Sequence, residues 1–123
     1  MPNQRHLLGL WAEAAAARWL TEAGWKVLAR RWRCSQGEID VVALDIDGVL
    51  VAVEVKLRRS PLAWDPLESV GRHRLHRLRA ALGHFASTTG RRAAGGLRID
   101  LVSVSLMADG RWRMARYEEV DAW

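Results

Sequence analysis

Apolar residues first recur at helical spacing. Leu8, Trp11, Ala12, Ala15 and Trp19 stand three and four positions apart between about Gln4 and Ala23, which predicts an amphipathic helix with these residues turned inward. Gly24 ends it. The period then shortens to two: Trp25 to Arg31 alternates loosely, and Glu38 to Asp45 and Val49 to Leu57 are rich in valine and isoleucine. Ser35-Gln36-Gly37 is a turn before this pair of strands, and Asp47-Gly48 between them signals a hairpin. Pro61 and Pro66 make Ser60 to Pro66 a loop, because neither proline can continue a sheet ladder. A second helix is expected from Asp65 or Pro66, with Leu67, Val70, Leu75, Leu78, Ala81, Leu82 and Phe85 inward and an end before Gly90. Gly95-Gly96 leads into a largely buried strand, Leu97 to Leu106. Asp109-Gly110 turns the chain into a shorter last strand at about Arg111 to Tyr117. The order αβββαββ describes helices packed on a mixed sheet. At 123 residues one domain, 1–123, is expected, large enough for a core without staples.

The hairpin register decides which side chains meet. Glu38 and Asp40 point one way on their strand, and Glu54, Lys56 and Arg58 share one face of the next. If Ile46-Asp47-Gly48 is a three-residue loop with Gly48 left-handed, Asp45 opposes Val49. Asp40 then falls opposite Glu54 and Glu38 opposite Lys56, with Cβ atoms roughly 5 Å apart. A two-residue Asp-Gly loop would pair Asp40 with Val55 and split the carboxylates between faces. Opposed carboxylates repel and need compensation, which a divalent cation supplies, so the three-residue loop is the expected one. Asp40, Glu54 and the Val55 carbonyl suit magnesium, with manganese as an alternative. Such an ion would polarise a phosphoryl oxygen and generate hydroxide, with Lys56 orienting the attacking water. Glu13, alone among alanines and tryptophans on the first helix, would be a further ligand or a supporting acceptor.

Composition sharpens this reading. Of nineteen basic residues only two are lysines, and one of them is Lys56, a compact and tunable charge where the chain otherwise uses arginine. The bland alternative is that Glu38 pairs with Lys56, or Glu54 with a nearby arginine, as simple ion pairs. Net charge is +5. Arg58, Arg59, Arg72, Arg74, Arg77 and Arg79, with Arg91 and Arg92, crowd the middle of the chain, where they would attract a polyanion or form a solvated helix face. Trp11, Trp19 and Trp25 fall at core positions, which leaves Trp64, in the proline-flanked loop, as the candidate base-stacking residue. His73-x-x-His76 lacks a second ligand pair for zinc. Cys34, the single cysteine, excludes an intramolecular disulfide and fits a reducing compartment. No apolar run is long enough for a membrane span, so a soluble cytoplasmic protein is expected.

Gly9, Glu13, Ala16 and Gly24, then Gly37-Glu38-Ile39-Asp40, Val53-Glu54-Val55-Lys56-Leu57-Arg58, Val70 and Arg98-Ile99-Asp100-Leu101-Val102 together resemble the YraN family of small bacterial proteins. That family is similar to the PD-(D/E)xK nuclease superfamily. The resemblance runs from about Gly9 to Val104 and implies an α/β, restriction-endonuclease-like core akin to archaeal Holliday junction resolvases. It implies metal binding at Asp40 and Glu54, catalytic support from Lys56 and an auxiliary acidic role for Glu13. This chain departs from the family pattern in having Ala12 before Glu13 where glycine is usual, Arg31 where asparagine is usual, and Arg74 where a lysine is usual.

The expected function is a magnesium-dependent endonuclease acting on DNA, with branched or damaged DNA as candidate substrates and Arg58, Arg59, Arg72, Arg74 and Arg77 holding phosphates. Junction cleavage would need two active sites, hence a homodimer. The alternatives left open are a nucleic-acid-binding module that keeps the fold without hydrolysis, and a protein-interaction module.

Overall fold

The computed structural model describes residues 3–58, 70–89 and 95–120. Arg59, the loop Ser60 to Pro66 with Trp64, Leu67, Arg91 and Arg92 lie outside the described residues. The elements are α1 (Gln4–Glu22), β1 (Lys26–Cys34), β2 (Gly37–Leu44), β3 (Leu50–Arg58), α2 (Arg72–Thr88), β4 (Leu97–Leu106) and β5 (Trp112–Tyr117). The strands form one mixed sheet in the order β1-β2-β3-β4-β5. Pairing is antiparallel except between β3 and β4, which run parallel. A parallel pair needs a crossover, and α2 lies in that connection.

Among the described residues, one helix packs on each face of the sheet. Val41, Ala43, Val51, Val53, Val102 and Val104 face α1 through Ala12, Ala16, Ala17 and Leu20. Val42, Leu50, Ala52, Ile99 and Leu101 face α2 through Leu75, Leu78, Ala81, Leu82 and Phe85. This three-layer α/β arrangement is the restriction-endonuclease-like core that the sequence predicts. No helix among the described residues is long and apolar enough to cross a membrane.

The β2–β3 turn follows the three-residue expectation. Gly48 has φ +83, a conformation that costs glycine little. Asp45 N–H donates to the Val49 carbonyl at 2.9 Å and Gly48 N–H to the Asp45 carbonyl at 3.0 Å. The Asp45 carboxylate accepts from the N–H groups of Asp47 and Val49, both at 2.9 Å. The ladder then runs from Leu44 opposite Leu50 to Val41 opposite Val53.

Three expectations need correction. The helix Arg72–Thr88 does not run on unbroken from Asp65 or Pro66, which lie outside the described residues, because Gly71 (φ −66, ψ 162) is extended and serves as its N-cap. Val70 still packs into the core. Trp11 is 62% exposed instead of buried: the inward stripe of α1 is turned toward Ala12, Ala16 and Leu20, whose small side chains let the helix lie close to the valines. Glu38 does not face Lys56. The β2–β3 ladder has ended before reaching them, and Glu38 instead pairs with Arg31 and Arg33 at 3.6 and 3.0 Å.

A charged cluster fastens the far end of the sheet. Asp100, fully buried, accepts from Arg98 Nε and Nη2 at 2.8 and 3.0 Å, from Arg116 Nη1 at 3.0 Å and from the Glu119 N–H at 3.0 Å. Arg98 also reaches the Asp45 carboxylate at 2.8 Å, tying the hairpin turn to β4. The Trp25 ring lies 5.9 and 5.1 Å from the Arg98 and Arg116 guanidinium carbons, within cation–π range. Every acceptor position of Asp100 faces a donor, so its loss strands buried positive charge. Asp100→Ala is expected to cost about 3–5 kcal/mol in urea denaturation. A loss under about 1 kcal/mol, the scale of an exposed ion pair, would show that the cluster is not structural.

Candidate functional site

The β2 strand breaks its own alternation next to Asp40. Ile39 packs with Val42 on the α2 side, while Val41 packs on the α1 side. Residues two apart normally share a face, so the strand twists sharply here. On β1, between the pairs Arg30 with Val41 and Trp32 with Ile39, Arg31 has φ +50, a left-handed conformation uncommon for arginine. On the other side β2 parts from β3. At the parting, the Val55 N–H donates to Asp40 Oδ2 at 2.9 Å. A side chain thus takes over a donor that the ladder has released.

Arg74 of α2 closes the rest of the gap. Its Nη2 donates to the Glu38 carbonyl at 3.0 Å. Its Nε and Nη2 hold the two carboxylate oxygens of Glu54 at 2.7 and 3.2 Å. This is the bidentate fork that arginine makes and lysine cannot. Arg74, expected to hold phosphate, therefore clamps a carboxylate.

Electrostatics separates the carboxylates. Burial pushes Asp40 up from its ordinary 3.8, and hydrogen bonding and repulsion from Glu54 add to it, to about 9, against the opposing Val55 N–H. Burial also pushes Glu54, only 4% exposed, upward. Its bonds to Arg74 and Asp40, with the fields of Arg74 and Lys56, outweigh that and hold it below the usual range. Near neutral pH Asp40 carries a proton and Glu54 is ionised. The pair shares one proton instead of opposing two charges.

Glu13 reaches the cluster from α1. Burial raises its carboxyl, with Asp40 as a hydrogen-bonding neighbour and Arg31 opposing. Arg31 Nε stands 3.9 Å from Glu13 Oε2, beyond hydrogen-bond length, and that buried oxygen has no hydrogen-bond partner. Lys56, half-buried on β3, lies beside Ser103 of β4. The structure thus brings Glu13, Asp40, Glu54 and Lys56 to one place, with Val55 tied into it through its N–H. Of the arginines expected to hold phosphate, Arg72 and Arg77 are exposed on α2, with Arg77 Nε 3.5 Å from the Gln36 carbonyl. Arg58 ends β3, and Arg59 lies outside the described residues.

The donor set is all oxygen, which suits a hard divalent cation. The orphaned Glu13 oxygen and the proton held by Asp40 both mark places where positive charge is lacking. Against this, Arg74 occupies both oxygens of Glu54, and no three His, Cys, Asp or Glu groups among the described residues form a ready ligand set. The residues fit such an ion provided that Arg74 yields Glu54. The alternative of Glu54 paired with a nearby arginine is what the structure shows, with Arg74 as that arginine; sequence reasoning did not single out Arg74 for it, and it missed Asp100 as an anchor. Twenty residues separate Arg74 from Glu54, and only the one-turn placement of Arg74 ahead of buried Leu78 hinted that it lies near the sheet.

Residues 12–104, which include Glu13, Asp40, Glu54, Lys56 and Arg74, match the model of a family described as "Uncharacterised protein family UPF0102". A UPF0102 protein of Streptomyces griseus is 48% identical over 102 residues, covering 83% of this chain and 85% of its own length. A UPF0102 protein of Streptomyces coelicolor is 46% identical over 109 residues, covering 88% and 83%. One from Methylococcus capsulatus is 38% identical over 108 residues, covering 88% and 85%. With a match over most of its length and relatives this similar, the chain belongs to UPF0102, the YraN family, whose members are PD-(D/E)xK-like nuclease relatives.

Proposed function

We propose that this protein is a metal-dependent nuclease that hydrolyses phosphodiester bonds of DNA. The observation that carries this reading is the convergence of Asp40 and Glu54 where β2 and β3 part, beside Lys56 and the unpartnered oxygen of Glu13. Asp40, Glu54 and the Val55 carbonyl would hold magnesium or manganese, with Glu13 supporting. A bound divalent cation supplies Lewis acidity toward the phosphoryl oxygen and acidifies a bound water. Lys56 offers an ammonium beside Glu54 that orients the attacking water and offsets charge building on phosphorus. Arg72 and Arg77 on the exposed face of α2 draw in the phosphate backbone.

A specific observation favours a second reading. Glu54 gripped at both oxygens by Arg74 is not free to ligate, which describes a nucleic-acid-binding module that has kept the fold without hydrolysis.

Cleavage of labelled duplex, flap and four-way DNA with magnesium or manganese separates the two. Asp40→Asn and Lys56→Ala are each expected to lower the rate by about a hundredfold or more, as loss of a transition-state contact does. Binding without metal-dependent cleavage across the panel would leave the module.

The proton on Asp40 gives a pH signature in chelator. The folded protein keeps a proton that the unfolded chain has released above about pH 4. Unfolding between about pH 4 and 9 therefore releases it, and this contribution to stability declines as pH rises through that window. Asp40→Asn, which cannot ionise, is expected to lose that decline, read as the difference between the two urea-midpoint profiles. Parallel profiles would mean that Asp40 is ionised.

Arg74→Lys removes the fork but keeps the charge. It is expected to bind Mn²⁺ about tenfold more tightly, a difference of about 1.4 kcal/mol, in an electron-paramagnetic-resonance titration. Unchanged affinity would show that Glu54 does not ligate the ion.

A further inference from the structure

Arginines from β1 and α2 close on the β1–β2 hairpin beside the acids. Along that ladder Arg33 stands opposite Glu38 and Cys34 opposite Gly37. Glu38 Oε2 accepts from Arg33 Nε at 3.0 Å, and Glu38 Oε1 stands 3.6 Å from Arg31 Nε. Arg31 Nε is also 3.9 Å from Glu13 Oε2, which joins this group to the acidic cluster. From the other side α2 brings Arg74, whose Nη2 donates to the Glu38 carbonyl. It also brings Arg77, whose guanidinium lies over Gly37, 3.5 Å from where a β-carbon would stand.

Charge and donors are in excess here. Arg74 is neutralised by Glu54, so Arg31, Arg33 and Arg77 surround the Glu38 carboxylate. A guanidinium carries more N–H donors than a carboxylate has oxygens, and Glu38 cannot engage two of them fully. Its approach to Arg31 is already longer than a hydrogen bond. The Arg33 side chain is 70% exposed and that of Glu38 30%. Ion pairs open to solvent in this way are weak and yield to a competing ion. A carboxylate shared between two arginine forks offers them one negative charge on two oxygens, as the two non-bridging oxygens of a phosphodiester do. Its position fits as well. Glu38 is two residues from Asp40 on β2, roughly 7 Å along the strand, or about two rises of 3.4 Å in a nucleic-acid strand.

We propose that Arg31 and Arg33, with Arg77 beside them, bind a backbone phosphodiester flanking the one presented at Asp40, and that Glu38 holds its place until nucleic acid displaces it. The inference deepens the nuclease reading and rests on it for the identity of the ligand. A free phosphate must displace Glu38 unaided. A strand already drawn to Arg72 on α2 presents its neighbouring phosphates at high effective concentration, so the site favours a polymer over a free anion. Arg31 and Arg33 then grip the phosphate oxygens, and the Glu38 side chain turns to solvent.

The test measures binding of a fluorescently labelled DNA duplex in chelator over a range of salt, with Tm recorded for every variant. Glu38→Gln removes the competitor and should tighten binding severalfold. Arg33→Ala in that background should cancel most of the gain and reduce the slope of log K against log salt by about 0.9, one phosphate contact. Asp109→Asn removes another exposed acid, paired with Arg111 at 3.8 Å in the β4–β5 turn at the opposite edge of the sheet, and should change binding little. Equal gains from Glu38→Gln and Asp109→Asn would mean that net charge alone is at work and would overturn the site. A gain from Glu38→Gln that is the same with and without Arg33 would also overturn it, as would duplex binding by neither the wild type nor Glu38→Gln. Inorganic phosphate raising the Tm of Glu38→Gln, with duplex binding unaffected by that change, would identify a free-anion site and overturn the nucleic-acid assignment. Duplex binding that follows Glu38 and Arg33 as expected, without cleavage in magnesium, would sink the nuclease reading and keep the site. Cleavage that needs Asp40 and Lys56, with KM indifferent to Glu38 and Arg33, would do the reverse.

Discussion

The parting of β2 from β3 after Val41 and Val53 is the constraint on which the rest of the site depends. A sheet that separates leaves backbone groups without partners, and in a buried position each must be satisfied. Here the Asp40 carboxylate takes the Val55 N–H and Arg74 takes the Glu38 carbonyl. The same two side chains bring acid and base into the opening. The chemistry-bearing residues are therefore not placed on a finished scaffold: they complete the scaffold, and a change in either function disturbs the other.

Charge balance inside the opening follows from its low exposure. Three carboxyl groups converge from α1, β2 and β3, and solvent cannot screen them. One is neutralised by a proton, one by the Arg74 fork, and the third is left with an oxygen lacking a partner. A single ion entering this space would have to displace both the proton and the guanidinium. Its affinity would be the difference between two large terms, which makes residue 74, alongside the acids themselves, a control point for it.

Much of this was legible in the sequence because it is local. The Asp47-Gly48 turn and the need to bring Asp40 beside Glu54 led to the three-residue loop, and the ladder from Leu44 to Val41 follows that register. The mixed sheet was expected from the element order αβββαββ, and the helix between β3 and β4 is what lets that pair run parallel; the order of the strands across the sheet was not legible. What was not legible depends on distant partners or on a single dihedral. Gly71 breaks the unbroken helix that the apolar spacing predicted through Val70 and Leu75. Trp11 and Ala12 compete for the same helical stripe, and hydropathy alone favours the tryptophan that the packing turns outward. Glu38 seemed aimed at Lys56 because alternation was extended past the point where the strands separate. Nor was the left-handed conformation of Arg31 legible, since arginine adopts positive φ less readily than asparagine does.

The alanines of α1 have a consequence beyond close packing. Ala12 and Ala16 are fully buried against the valines of the sheet, and Glu13 rides on the same turn. The depth at which the helix sits sets how far that acid is withdrawn from water and how near it comes to Asp40. A larger apolar side chain at either alanine would wedge the helix outward and loosen the acidic cluster while leaving every acid in the sequence. The acidic cluster of this fold can thus be tightened or loosened by methyl groups at positions with no chemistry of their own, and a comparison confined to the acidic and basic residues would not see it happen.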